Sequence, residues 1–88
     1  MRLSDLGTGA RGLIKGILPE GHDGPGEIGH AELERRLLEI GFVEGARFQI
    51  LHEGLVGRDP MALRLDDMRV ALRRREARSI VIECDAVP

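Results

Sequence analysis

Aromatic residues are almost missing from this chain: Phe42 and Phe48 are the only two in 88 residues, and tryptophan and tyrosine do not occur. The interior must therefore be packed from aliphatic side chains, and the stacking platforms that single-stranded nucleic acid needs are lacking. Cysteine is as scarce. Cys84 alone forms neither an internal disulfide nor a structural zinc site, and the N-terminus has no basic stretch followed by an apolar run. These absences point to the cytoplasm. No apolar run is long enough to span a bilayer, and a net charge of -2 gives no whole-molecule attraction for DNA or anionic lipid. There is also no room for a second domain. A chain of 88 residues makes one small domain, residues 1–88, with too little interior for a deep substrate pocket.

Apolar residues make up 42% and charged residues 32%, which predicts a folded, soluble chain. Charge is uneven along it. Glu20, Asp23, Glu27, Glu32 and Glu34 follow one another without an intervening Lys or Arg, whereas Arg69, Arg73, Arg74, Arg75 and Arg78 face only Glu76. Either both regions are solvated or they pair with each other, or the second is a cationic patch for an acidic partner. All 12 glycines lie at or before Gly57, so the first two-thirds of the chain turns often.

Periodicity predicts the elements. Ala10 to Leu18 reads as a strand weakened by Gly12 and Gly16, and residues 19–29 as a loop rich in proline and glycine. From Ala31 the period becomes helical, with Leu33, Leu37, Leu38 and Ile40 on one stripe and Glu32 four residues before Arg36. Gly41 ends this helix, placing Phe42 to fold back on Leu37 or Leu38. Ala46, Phe48 and Ile50 then alternate with polar neighbours, a strand that gives way to a loop at 53–60. Residues 61–65 and 68–72 form a hairpin around Asp66-Asp67, a short helical turn follows at 73–79, and Ile80 to Asp85 is the last strand. The expected architecture is mainly β: a small antiparallel five-stranded barrel with one inserted helix at about 31–41 and a helical turn before the last strand. Cys84 is expected inside it, as a small hydrophobe.

Five stretches in this order resemble the FeoA family: Leu3-Ser4-Asp5-Leu6 followed by Gly9-Ala10; Leu33 to Phe42; Glu44-Gly45-Ala46; Gly57-Arg58-Asp59-Pro60; and Val70 to Ala77. Each is weak alone. Together they cover nearly the whole chain. The resemblance implies an SH3-like barrel and a role beside FeoB, a membrane transporter of ferrous iron with a cytoplasmic GTP-binding domain. The same module is similar to the C-terminal domain of DtxR-type metal-dependent repressors, which makes a metal-responsive domain the alternative expectation. Two features depart from the family pattern: Arg58 interrupts a Gly-Asp-Pro run, and the loop before the helix is long.

No catalytic constellation is visible, because Ser4, Thr8, Ser79 and Cys84 have no histidine near them in sequence, and no phosphate-binding glycine loop occurs. The chain is not expected to be an enzyme. His22, Asp23, Glu27 and His30 supply nitrogen and oxygen ligands of the kind Fe2+, Mn2+ or Zn2+ accept. They sit on a glycine-rich loop, where ordering costs about 1–2 kcal/mol per residue, so the preferred reading is a solvated loop. The alternative is a weak divalent site, and no cofactor is expected to be required. His52, at a strand end, is expected to be exposed. The preferred place for Leu55 and Val56 is tucked over an open end of the barrel, the alternative being a docking contact. Of Arg73, Arg74 and Arg75, at least one is expected to pair with Glu76 or another acid, leaving the rest for a protein partner first and lipid headgroups second. Duplex DNA is disfavoured because no recognition helix accompanies the patch.

Overall fold

Aliphatic side chains at alternate positions build five strands, β1 (Arg11–Ile17), β2 (Arg47–Val56), β3 (Asp59–Leu65), β4 (Met68–Leu72) and β5 (Ile80–Cys84). The computed structural model describes residues 1–18 and 30–85. Helix α1 (His30–Ile40) lies between β1 and β2, and the short α2 (Arg74–Ala77) links β4 to β5. A 3-10 turn, Leu3–Asp5, precedes β1.

The strands form one antiparallel sheet in the order β4-β3-β2-β1-β5. Among the described residues β4 and β5, at the two ends of the sheet, share no ladder, and α2 connects them. The outer edge of β5 is not left bare: Arg2 bridges Val81, and the Ile82 N–H donates to the Met1 carbonyl at 2.9 Å. Covering an edge in this way removes a template for association with other chains.

Side chains facing inward from the strands meet Leu33 and Leu37 of α1, Phe42 and Leu3 in a single core. Leu3, Phe42, Met61, Leu63, Leu65 and Ile80 are wholly buried. The helix stripe is narrower than its pattern predicts, since Leu38 is 44% exposed. The helix runs from His30 to Ile40, one residue earlier at each end than expected from the period. Gly41, at φ 131°, then reverses the chain, and the Phe42 N–H donates to the Leu37 carbonyl at 3.0 Å, the six-to-one bond of a Schellman end. Arg36 does not serve Glu32 but reaches Glu76 of α2 at 3.8 Å.

Two expectations are corrected by the strands. β2 does not give way to a loop at Glu53; it continues to Val56, and β3 begins at Asp59. The alternating pattern hides this because β2 carries two register shifts against β3, between Ile50 and His52 and between Glu53 and Val56. Each bulge moves the inward face by one residue, so a period-two reading fails beyond Leu51. At the second bulge a Cβ on Gly54 would stand 2.0 Å from the Asp59 carbonyl oxygen, so only glycine fits. The connection is then a two-residue turn, Gly57 and Arg58, both at positive φ (65° and 60°), as a type I′ hairpin requires. Cys84 is the second correction: the last strand buries Ile80 and Ile82, but Cys84, still paired with Gly12 of β1, is exposed.

Candidate functional site: a clamped hairpin tip

The extended β2–β3 hairpin carries Leu55 and Val56 to its tip, where they are 98% and 86% exposed. They are therefore not tucked over the barrel end. Two adjacent aliphatic residues this bare, on a small domain, are the features that partner surfaces display.

A polar clamp beneath the tip fixes its position. Glu53 Oε1 accepts from the Thr8 backbone N–H at 2.8 Å and from the Thr8 hydroxyl at 2.9 Å. Its other oxygen, Oε2, accepts from Arg58 Nε at 2.6 Å and from Arg74 Nη2. The Glu53 and Arg74 side chains are only 16% and 18% exposed, so this pair is shielded from much of the solvent. The Thr8 backbone N–H, with the Arg58 and Thr8 side chains, holds the Glu53 carboxyl down from 4.5 to about 2, against a smaller opposing effect of desolvation. Glu53 is thus ionised throughout the physiological range.

Arg74 ties the remaining pieces together. Its Nε donates to the Arg58 carbonyl at 2.8 Å, and Nη1 donates to the carbonyls of Ser4 at 2.7 Å and Leu6 at 3.2 Å. The Arg74 backbone N–H donates to Asp59 Oδ1 at 2.9 Å. A single guanidinium therefore joins the 3-10 turn, the hairpin and α2. One arginine of the 73–75 run does pair with an acid elsewhere on the barrel, but the acid is Glu53. Glu76 instead accepts from the Arg73 backbone N–H at 3.0 Å, half of a capping box that starts α2.

The other two arginines point to different surroundings. Arg73 approaches Asp59 Oδ2 at 4.0 Å, and Asp59 pairs in register with Val56, so Arg73 flanks the tip. Arg75 lines an open depression of about 410 Å³ with Ser4, Arg74 and Arg78. His52 is exposed, as expected.

The proposed metal ligands His22, Asp23 and Glu27 lie outside the described residues, and of His30 only the backbone is described, as the first residue of α1. Among the described residues there is no group of three or more His, Cys, Asp or Glu side chains placed to hold a metal ion. No helix among them is long and apolar enough to cross a membrane. Sequence reasoning missed Thr8, Glu53, Asp59 and Arg58 as a unit. Thr8 and Glu53 are 45 residues apart, and no local pattern links them.

A five-stranded antiparallel sheet with one helix after its first strand and a helical turn before its last defines a small SH3-like barrel, mainly β. The chain belongs to the FeoA domain family, whose sequence pattern matches residues 1–84. That family is associated with ferrous iron transport. The chain is 34% identical over 83 residues to an Fe(2+) transport protein A/Fe(2+) transporter FeoB fusion protein of Porphyromonas gingivalis. This match covers 94% of the chain and 8% of the fusion protein's length. Among solved structures, it is similar to the FeoA of Stenotrophomonas maltophilia complexed with zinc, described as an SH3 domain protein (TM-score 0.72, 28% identity, 94% of this chain and 89% of that one). A FeoA-like protein from Clostridium acetobutylicum superposes with a TM-score of 0.79 at 25% identity, covering 100% of this chain and 90% of that one.

Proposed function

We propose that this chain is a non-enzymatic, cytoplasmic accessory module of ferrous iron uptake that docks on the cytoplasmic part of a FeoB-type membrane GTPase. The carrying observation is the exposed Leu55–Val56 tip on a hairpin clamped by Glu53 and Arg74. A pre-positioned apolar pair loses little conformational freedom on binding, so its burial goes into affinity. Arg73 beside the tip supplies the cationic rim for an acidic surface. Arg74 serves as a positioning residue and Arg75 lies toward the depression, so neither is assigned to the contact. The fusion of the two proteins in one polypeptide of P. gingivalis supports the same pairing.

The test is calorimetric titration of the chain into a purified cytoplasmic GTP-binding domain of such a transporter. Replacing Leu55 and Val56 together by serine is expected to weaken binding more than tenfold, since a hot-spot residue contributes about 2 kcal/mol. The thermal midpoint should not fall. Undiminished affinity in that variant, or no binding by the unaltered chain, overturns the reading.

A second reading, a metal-responsive domain, is favoured by one observation, the zinc complex of the S. maltophilia relative. Here His22, Asp23, Glu27 and His30 are the candidate ligands. Titration with Fe2+, Mn2+ and Zn2+, followed by amide NMR, is expected to give saturable shifts confined to those four residues if this reading holds. Silence there removes it.

A further inference from the structure

The depression beside α2 is lined, among the described residues, by Ser4, Arg74, Arg75 and Arg78, three arginines and a serine with no carboxylate. Arg74 is held rigid by its bonds to Glu53 and to the Ser4, Leu6 and Arg58 carbonyls, and it shares the Glu53 carboxylate with Arg58. Arg75 and Arg78 hold no ion pair among the described residues, and both are exposed. They stand three apart around α2, close enough for their charges to repel. The acids nearest in sequence are engaged elsewhere: Asp5 accepts from the Arg2 backbone N–H at 3.1 Å, while Glu76 is taken by Arg36 and the Arg73 N–H. A fourth arginine reaches the rim, with Arg2 Nη1 donating to the Arg78 carbonyl at 2.6 Å.

From this geometry we infer that the depression is a binding site for a phosphate-type oxyanion. Arginine forks match the paired oxygens of a phosphate group, and a bound dianion relieves the repulsion between Arg75 and Arg78. Ser4 lines the same space, and its hydroxyl is a donor of the type a phosphate oxygen accepts. The volume exceeds that of a bare phosphate and falls within the usual range for small ligands, so a phosphate ester fits as well as the free ion. This site uses residues other than Leu55 and Val56 and does not depend on the docking proposal.

The experiment titrates inorganic phosphate into the labelled full chain at about 0.15 M salt, where the Debye length is near 8 Å and diffuse attraction is damped. Saturable amide shifts are expected at Ser4, Asp5 and residues 74–79. They should weaken at least about tenfold in an Arg75→Ala/Arg78→Ala double variant, a loss of ~1.4 kcal/mol. An Arg64→Ala/Arg69→Ala variant removes the same charge elsewhere on the surface and should leave them unchanged. Absence of saturable shifts at those residues overturns the inference, as does an equal loss in both double variants. Sedimentation with vesicles of equal parts phosphatidylglycerol and phosphatidylcholine then identifies the source. Vesicle binding that inorganic phosphate displaces, and that Arg75→Ala/Arg78→Ala abolishes, assigns the site to lipid headgroups. Phosphate binding without vesicle binding assigns it to a soluble phosphate.

Discussion

At the scale of single residues, Glu53 has the most altered chemistry. Its carboxyl is held near 2 against an ordinary 4.5, and a depressed carboxylate stabilises the fold above its unfolded pKa and loses that contribution as pH falls. Replacing Glu53 by Gln is therefore expected to lower the chemical denaturation midpoint at pH 7. The gap to the unaltered chain should close as pH drops from about 4.5 toward about 2. A gap independent of pH would show that the clamp is not ionic. Arg74→Ala is expected to cost about 1–3 kcal/mol, because the carbonyls of Ser4 and Leu6 lose a donor in a part-buried setting. Cys84, exposed at the end of β5, should react with a thiol reagent in the native state without prior unfolding. Alternation with Ile80 and Ile82 on the apolar side of the last strand places it inside, and the burial pattern of β5 reverses that.

Elements show where local chemistry suffices and where it does not. The helix was legible in its existence, its glycine end and the return of Phe42, which are all short-range, whereas its buried stripe is narrower than the period predicts because Leu38 is exposed. Leu37→Ala should cost about 2–5 kcal/mol, measured by chemical denaturation, because the side chain is buried among core residues that cannot collapse into the gap. Leu38→Ala, on the same nominal stripe but 44% exposed, should cost under about half as much. The β2–β3 hairpin was not legible. Its bulges invert the inward face twice, and a bulge is a property of two paired strands rather than of one. Gly54→Ala is expected to lower the thermal midpoint and weaken binding to the transporter domain together. The added methyl meets the Asp59 backbone and must displace the tip.

For the molecule as a whole, amino-acid order determined what can be decided within a few residues. An aliphatic interior followed from the near absence of aromatics, and five alternating segments with a single capped helix limited the architecture to a small barrel. Membership of the FeoA family was likewise carried by short words in a fixed order. Tertiary structure decided everything that depends on meetings across the chain. Thr8, Glu53, Arg58 and Arg74 become a clamp only when the 3-10 turn, the hairpin and α2 are brought together, and Arg75 joins Ser4 and Arg78 only there. The physical reason lies in range. Backbone preference and hydrophobic period act between near neighbours, so they are written into consecutive residues. Hydrogen-bond partners, and the exposure of Leu55, Val56 and Cys84, depend on which distant surfaces the closing sheet covers.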